Sequence, residues 1–377
     1  MNLTSPIPAR PEDFFSAEEV GKSKSYQRPL QYVRIVSGFL SLLFILAFIT
    51  FKVAPSFDPW YLQLVAVIFV VIVLSTLVGL PLDIWVEFSH ERKWGFSTQT
   101  PARFAVDQVK GILLGTVLLS VLFIPLWALI RSTPLWWLWG GLVFMIFSVG
   151  LAFLAPILLI PIFNKLTPLE NEELKTKLMS LAKKGGIAIS GFQVMDASKR
   201  TKKDNAFFAG MGKTRRVVLF DNMLEYPHEH IEVVVAHEIG HWKRGHIRKQ
   251  IALGVVTSVV IFGAVALAMK DSSPLLDWAG VASAGDPASL PLFLLIFSAV
   301  GSIMGVITSW FSRWYEREAD LAALELTASP DAYVALWRNM TGRNLPDLDP
   351  SWWARIKASH PPIAERMAFA EVWRKGR

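Results

Sequence analysis

The stretch His237-Glu238-Ile239-Gly240-His241 stands shortly before a long apolar segment, residues 251–269. Residues four apart lie on one face of a helix, so His237 and His241 can present two imidazole nitrogens to one metal ion. Glu238 is then close enough to reach a metal-bound water. The pattern predicts a zinc site on a helix beside a membrane; the alternative is a pair of core histidines that only form hydrogen bonds.

Composition predicts an integral membrane protein. Of the 377 residues, 53% are hydrophobic and only 18% are charged, a balance unusual for a soluble domain. Six apolar stretches reach the roughly 20 residues that a membrane-spanning helix needs. They run near residues 33–53, 61–82, 111–130, 135–160, 251–269 and 290–311. Tryptophans cluster at several of their ends, as interfacial anchors do.

Basic residues are distributed unevenly between the loops. The loops after the first, third and fifth predicted spans are poor in base, with Lys52, Arg131 and Lys270, whereas the loop from Lys165 to Lys249 is densely basic. By the positive-inside rule, both termini and the histidine motif are predicted to face the cytoplasm. Topology and contact with anionic lipid head groups then explain the net charge of +7.

What the sequence lacks excludes several kinds of chemistry. It contains no cysteine, which removes disulfides, thiol catalysis and thiolate ligands, so any metal must be held by nitrogen and oxygen. No basic motif interleaved with aromatic residues is present, and no nucleic-acid partner is predicted. No cleavable signal peptide is expected either, because the first apolar run is long enough to remain as an anchor.

The loop between the fourth and fifth predicted spans is long enough to fold outside the membrane. An amphipathic helix is predicted over Glu172–Lys184, followed by β-like runs at residues 192–195, 206–209 and 216–220. A zincin-type protease needs this order of helix, small sheet and metal helix, with an edge strand that holds the peptide. The predicted fold class is therefore mainly α: a polytopic helical membrane protein with about six transmembrane helices and a cytoplasmic zincin-like domain containing a small β-sheet.

A catalytic zinc needs a third protein ligand and an open position. The best predicted source is the acidic run that directly follows the last span, Glu316 to Asp320. Glu316 and Asp320 share a helix face, whereas Glu318 points roughly the opposite way. One of the two acids can bind the metal while the other accepts a hydrogen bond from a ligating imidazole. The alternative is a solvated, charged helix end.

Several blocks of sequence, in order, now match one family. They are FNKLTP at 163–168, DASKR at 196–200, NAFF at 205–208, VVLFD at 217–221, the metal motif extended to residue 246, EREAD at 316–320 and SHPP with ER within 359–366. From about residue 30 to residue 370, the chain resembles the membrane zinc metalloproteases that include the type I CAAX prenyl endopeptidase, which are Ste24-like gluzincins.

The resemblance implies a role for each matched residue of the metal site. His237, His241 and Glu316 are the implied ligands of one zinc ion per chain, which leaves Asp320 as the partner that orients an imidazole. Glu238 is the implied general base: zinc activates a water, Glu238 takes its proton, and the peptide carbonyl is attacked.

Substrate contacts are implied by the same blocks. Asn205 is expected to hold the substrate backbone beside an edge strand, His360 to stabilise the oxyanion, and Arg366 to bind substrate. Taken alone, Asn205 is also explained as a turn residue and His360 as part of a helix cap. His246 and His228 are interpreted as surface histidines.

One departure from the family concerns the N-terminus. Eukaryotic members have an additional N-terminal membrane helix, and residues 1–30 are too polar to form one. The predicted division is a cytoplasmic segment at 1–30, transmembrane helices 1–4 at 31–163, a cytoplasmic protease loop at 164–250, transmembrane helices 5–6 at 251–311, and a C-terminal cytoplasmic helical segment with the third ligand at 312–377.

The predicted function is that of an integral-membrane zinc metalloendopeptidase that is similar to CAAX prenyl proteases and hydrolyses peptide bonds with a zinc-activated water. Its expected partners are the lipid bilayer and a peptide or protein substrate, either lipidated or inserted in the membrane. Its expected location is a bacterial plasma membrane, or the endoplasmic reticulum in a eukaryote, with the active site facing the cytoplasm. The alternative is a quality-control protease of broad specificity resembling HtpX.

Two further classes are disfavoured. A transporter or channel with a structural zinc would place acids in mid-membrane, and the interiors of the predicted spans hold none. A site-two-type intramembrane protease would carry its metal motif inside an apolar span. Here Glu225, Glu229, Lys243 and Arg244 flank the motif instead.

Overall fold

The computed structural model describes residues 6–210 and 215–376. Within them, six helices are long and apolar enough to cross a membrane, which confirms the predicted fold class. These first to sixth membrane helices are Ala17–Thr50, Trp60–Lys93, Pro101–Ser132, Trp136–Phe163, His246–Ala268 and Pro287–Thr327. In the sixth, a 3₁₀ turn precedes one unbroken α-helix, Leu290–Thr327, which we call the acidic helix.

Shorter helices complete the part that lies outside the spans. The described ones are Glu172–Lys184, His228–Lys243, Pro274–Ala279, Pro330–Asn344, Trp352–Lys357 and Ile363–Lys375. We call His228–Lys243 the metal helix and Ile363–Lys375 the C-terminal helix. Short 3₁₀ turns lie at Pro11–Asp13, Ala197–Lys199 and Asp221–Glu225. The amphipathic helix predicted over Glu172–Lys184 is confirmed at both ends.

The first membrane helix begins well before its apolar stretch. Ser16 caps its N-terminus: the backbone N–H of Glu19 donates to the Ser16 hydroxyl at 3.2 Å, and the Glu19 carboxylate accepts from the Ser16 backbone at 2.8 Å. Tyr26, in the polar part of this helix, is 1% exposed. The polar N-terminal residues therefore extend the helix and pack against the rest of the protein.

One apolar core lies among the membrane helices. Its fully buried members include Trp127, Phe262 and Phe293. On the outside of the same helices, long apolar side chains such as Ile146 and Ile303 are exposed. So large an exposed apolar surface is explained by a lipid environment.

The small sheet has four strands in the order β1-β2-β4-β3. The strands are β1 Leu166–Pro168, β2 Gly191–Met195, β3 Ala206–Ala209 and β4 Arg216–Phe220. The pairs β1–β2 and β3–β4 are antiparallel, and β2–β4 is parallel. Three strands were predicted, and β1 was missed because it is only three residues long and ends in proline. The order leaves β3 at an edge.

A second apolar core joins the sheet, the metal helix and the acidic helix. The two helices approach closely at Gly240, where a Cβ atom would lie 2.8 Å from the Cβ of Ala322 and 2.9 Å from backbone atoms of Ala319. A glycine is therefore required inside the metal motif for packing. The close approach brings the acids of the acidic helix to the histidines.

Candidate metal centre

The two histidines of the motif lie on one face of the metal helix, as their spacing predicted. Their Nε2 atoms are 3.1 Å apart, and the ring planes are nearly perpendicular, with centroids 4.8 Å apart. Both side chains are largely buried, His237 being 14% and His241 20% exposed. The helix thus directs two nitrogens at one point.

Glu316 of the acidic helix places its carboxylate beside both histidine nitrogens. Its Oε2 lies 3.3 Å from Nε2 of His237, and its Oε1 lies 3.3 Å from Nε2 of His241. The residue is 5% exposed, and its buried Oε2 has no hydrogen-bond partner among the described residues. These three residues form a group able to hold a metal ion.

The spacing of the three donors fits zinc. In a tetrahedral site with bonds of about 2.0–2.1 Å, neighbouring ligand atoms lie roughly 3.3–3.4 Å apart. The shortest separations between the three side chains, 3.1–3.3 Å, are close to that length, with one oxygen of Glu316 facing each histidine nitrogen. Two nitrogens and one carboxylate oxygen are also a common donor set for catalytic zinc.

The charges around the donors also favour a cation at this point. Burial alone would lower the pKa of His237, yet the carboxylates of Asp320 and Glu316 raise it to about 10. The acids thus favour a positive charge where the three donors meet. A metal ion supplies that charge while leaving the imidazole neutral.

Asp320, predicted as the orienting partner, lies behind His237. Its Oδ1 is 2.9 Å from Nδ1 of His237. It is 1% exposed and is held in turn by Arg366 of the C-terminal helix, whose Nε donates to Asp320 Oδ2 at 2.8 Å. A proton on Nδ1 that donates to Asp320 leaves the Nε2 lone pair free for a metal.

Arg366, predicted to bind substrate, lies in this buried network. It is 5% exposed and pairs with Asp320 through two of its nitrogens. Its guanidinium stacks over the ring of Trp337, with 3.9 Å between the guanidinium carbon and the ring centroid. Its Nη2 also lies 3.2 Å from Nδ1 of His237. Its described contacts therefore support residues of the metal site, although it also forms part of the cavity wall.

Glu238 follows the first ligand on the metal helix and lines the same cavity as His237. Burial raises the pKa of its carboxyl, opposed by the nearby histidines. A raised pKa is what a carboxylate needs to accept and return a proton near neutral pH.

His360 reaches the metal site from the other side of the cavity. It lies in the loop before the C-terminal helix, with Nε2 3.4 Å from Glu316 Oε1 and a side chain that is 61% exposed. Its Nδ1 is 2.7 Å from the Ser359 hydroxyl. The loop thus places one ring nitrogen beside the metal donors and leaves the ring accessible.

Asn205 lies at the start of the edge strand β3. Its side-chain oxygen accepts from the backbone N–H of the next residue, Ala206, at 2.8 Å, and its backbone carbonyl accepts from the backbone N–H of Phe220 at 3.0 Å. The residue is exposed and lines the cavity. The preceding residue, Asp204, is held by Arg343 at 2.7 Å and by the hydroxyl of Tyr226 at 2.9 Å.

One cavity of about 1040 Å³ joins these groups. Its wall includes His237, Glu238, His360 and Asn205, and it reaches Arg34 on the first membrane helix. The predicted catalytic and substrate-binding residues thus share one space.

Two residues beside the metal donors, His246 and Glu318, were not predicted from the sequence to belong to the site. His246, taken for a surface histidine, is 1% exposed and lies between His241 and Glu318. The overlooked signal is Gly245, whose positive φ of 68° starts a new helix and turns the chain back toward the motif. His228, the other supposed surface histidine, has a side chain that is 28% exposed.

Comparisons with known families agree with this geometry. The sequence model described as peptidase family M48 matches residues 168–374. A second, described as the CAAX prenyl protease N-terminal region with five membrane helices, matches residues 1–165. Among the described residues of that part, four helices qualify as membrane spans.

Individual relatives cover much of the chain. The uncharacterized metalloprotease YhfN of Bacillus subtilis is 28% identical over 375 residues, which is 96% of this chain and 88% of that protein. CAAX prenyl protease 1 of Saccharomyces cerevisiae is 35% identical over 192 residues, or 50% of this chain and 42% of that protein. The crystal structure of S. mikatae Ste24p superposes with a TM-score of 0.85 at 25% identity, covering 98% of this chain and 93% of that one.

Proposed function

Because this chain belongs to peptidase family M48 and six of its described helices are long and apolar enough to cross a membrane, it is a membrane metalloendopeptidase, and we propose that its metal is one zinc ion held by His237, His241 and Glu316. The observation that carries the proposal is the convergence of the three side chains: the two Nε2 atoms lie 3.1 Å apart, and each lies 3.3 Å from one oxygen of the Glu316 carboxylate. Bound zinc supplies the Lewis acidity that activates water and polarises the scissile carbonyl.

Glu238 is the proposed general base and acid. It takes one proton from the attacking water as the water oxygen bonds to the carbonyl carbon. It then delivers that proton to the leaving nitrogen as the C–N bond breaks. Its raised pKa supports both steps.

His360 is the proposed donor to the oxyanion. A Ser359 hydroxyl that donates to Nδ1 at 2.7 Å leaves the ring proton on Nε2. Nε2 is the nitrogen beside the metal donors, 3.4 Å from Glu316. An N–H directed at the developing negative charge lowers the barrier without needing a charged histidine.

Asn205 and the edge strand β3 are the proposed holders of the substrate backbone. The sheet order leaves one side of β3 without a neighbouring strand among the described residues. An extended peptide can add to such an edge through main-chain hydrogen bonds. Asp204 is anchored by Arg343, Tyr226 and Asn344, which keeps Asn205 in register beside the cavity.

Arg366 takes a positioning role in this proposal. It is buried against Asp320, which contacts His237. It thereby stabilises the carboxylate that orients a metal ligand, and a direct contact with substrate is not required for that role.

The proposed substrate is a peptide at the membrane surface, with a prenylated CAAX-type C-terminus as the first candidate. One relative is named CAAX prenyl protease 1 and another is named a homolog of it, and the N-terminal family match covers residues 1–165. The cavity extends to Arg34, Ile35 and Gly38 on the first membrane helix. A lipid anchor in the bilayer could therefore lie beside the helix that borders the peptide site.

We further propose that the active site faces the cytoplasm. The support is the dense basic loop between the fourth and fifth membrane helices, by the positive-inside rule. The division near residues 163/164 between membrane helices and catalytic part is likewise proposed, and the two family matches, which adjoin at residues 165 and 168, support it.

The test is cleavage of one peptide with and without a prenyl group by purified, zinc-loaded protein in lipid nanodiscs. We expect faster cleavage of the prenylated peptide. Equal rates on both, with cleavage of unrelated membrane-protein segments, would favour broad quality-control specificity and reject the prenyl preference.

Glu238→Gln tests the chemistry in the same assay. The variant should keep one zinc per chain and lose about 10²- to 10⁴-fold in kcat, the usual contribution of a general base. Glu229→Gln, an exposed acid on the same helix, is the matched control and should cleave normally. A zinc-loaded Glu238→Gln protein with full activity would remove the general-base role.

A further inference from the structure

His241 has a second chain of hydrogen-bonding groups behind it, outside the network of Asp320. Nδ1 of His246 lies 3.0 Å from Nδ1 of His241. On its other side, Nε2 of His246 lies 2.8 Å from Oε2 of Glu318. His246 is 1% exposed, so the described protein groups, rather than bulk solvent, meet both of its nitrogens.

Proton positions along this chain are fixed by elementary imidazole chemistry. When Nε2 of His241 faces a metal, the ring proton must be on Nδ1. Nδ1 of His246 must then accept that proton's hydrogen bond, so a neutral His246 carries its own proton on Nε2. That N–H points at the Glu318 carboxylate, which can only accept when ionised. Hydrogen-bond donation from His241 to His246 and from His246 to Glu318 therefore satisfies all three residues.

Packing holds the middle member of the chain. The ring of His246 stacks on Tyr315, with centroids 4.8 Å apart and planes at 21°. Lys249, one turn further along the fifth membrane helix, donates to Oε2 of Glu318 at 3.1 Å. Its ammonium also lies 5.4 Å from the ring centroid of Tyr315. The chain is thus assembled where the fifth and sixth membrane helices meet.

We infer that His246 is a positioning residue that, backed by Glu318, holds His241 with its proton on Nδ1 and its Nε2 lone pair directed at the metal. The inference rests on the proposed metal site. It assigns the two ligating histidines different supports. Asp320 contacts His237 directly, whereas Glu318 acts on His241 through a second imidazole.

The first test is zinc affinity, measured by competition with a chelator. His246→Phe keeps a planar ring for Tyr315 but offers His241 no acceptor, and we expect zinc affinity to fall about 10- to 100-fold, as for other partners that orient metal ligands. His246→Asn restores an acceptor near the position of Nδ1 and should recover most of the affinity. Unchanged affinity in His246→Phe overturns the positioning role, and so does a failure of His246→Asn to bind more tightly than His246→Phe.

A matched control separates this role from the general effect of removing a buried histidine. His230 is on the metal helix, is 4% exposed and pairs with Asn339 at 3.2 Å. His230→Phe should leave zinc affinity unchanged. An equal loss of zinc affinity in His230→Phe and His246→Phe would show that the effect arises from altered folding, and it would reject the positioning role. Thermal unfolding of the metal-free proteins provides the second readout, since positioning predicts no special loss of stability in His246→Phe.

The double variant tests whether the two residues act in series. If Glu318 acts through His246, Glu318→Ala combined with His246→Phe should lose no more zinc affinity than His246→Phe alone. Additive losses of zinc affinity would show that Glu318 does not act through His246. Zinc-free wild-type protein would overturn the metal site and the inference together, whereas zinc-bound wild type with an unaffected His246→Phe would overturn only the inference.

Discussion

The metal-binding side and the substrate side of the cavity are built in different ways. On the metal side, Glu316 and Arg366 are 5% exposed and Asp320 is 1% exposed. Apart from His360, which lies in a loop 3.4 Å from Glu316, the side chains that pair with them belong to helices packed on one another. On the substrate side, the His360 side chain is 61% exposed, and Asn205 is an exposed residue beside an edge strand.

The difference follows from the cost of burying charge. A carboxylate or guanidinium removed from water needs partners in good geometry, because an unpaired one costs several kcal/mol. The metal side therefore has to be complete before the substrate arrives. The substrate side keeps its polar groups in contact with solvent, so they remain available for the peptide. Substitutions on the metal side should accordingly lower activity more than substitutions on the substrate side do. They should also lower the zinc content.

The largest effect is expected from Glu316→Ala. Removing a ligand should lower zinc affinity by more than about 100-fold, beyond the roughly 10- to 100-fold cost of losing a partner that only orients a ligand. Glu318→Ala is the comparison variant on the same helix and should cost no more than about tenfold. Chelator competition measures both, and the reverse ranking would move the third ligand to Glu318.

His360→Ala should affect the reaction without affecting the metal. Loss of an oxyanion donor typically lowers kcat by about 10²- to 10³-fold, while zinc content should stay at one per chain because three other residues hold the ion. His228→Ala, at the start of the metal helix, serves as the control histidine. A loss of zinc in His360→Ala would mean that this residue belongs to the metal side.

Asp320→Ala should weaken zinc binding about 10- to 100-fold by releasing His237. It should also destabilise the metal-free protein, by up to about 3–5 kcal/mol, because the buried Arg366 loses the carboxylate to which it donates and keeps only Glu316, 3.8 Å away. Thermal unfolding measures the second effect. An Asp320→Ala variant with full zinc affinity and lowered stability would show that Asp320 only forms a structural ion pair with Arg366.

The smallest effect is expected from Asn205→Ala. The loss of one hydrogen bond to substrate is worth about 0.5–1.5 kcal/mol, a roughly two- to tenfold fall in kcat/KM, with zinc content unchanged. Lys202→Ala, an exposed neighbour, is the control. A loss much greater than tenfold would place Asn205 among the groups that stabilise the transition state.

Features that depend on local periodicity could be predicted from the sequence. The bounds predicted for the amphipathic helix Glu172–Lys184 match the structure, in which Asn171 caps the start and Gly185 follows the end. The spacing of four residues brought His237 and His241 to one face, and the same spacing selected Glu316 and Asp320.

Features that depend on tertiary packing could not be predicted in this way. Glu318 points away from the face of Glu316, and it became part of the site only because the fifth membrane helix packs there and brings His246 to it. Arg366 comes from a distant helix, and no local pattern shows that it lies behind Asp320.

The unbroken acidic helix gives the metal site a direct connection to the bilayer. Its 38 residues measure about 57 Å at 1.5 Å per residue, nearly twice the roughly 30 Å of a hydrocarbon core. Glu316 stands 26 positions after Leu290, about 39 Å along the same axis. A thicker or thinner membrane changes the tilt of such a rod through hydrophobic mismatch. Lipid chain length is therefore expected to change the tilt of the helix that carries Glu316.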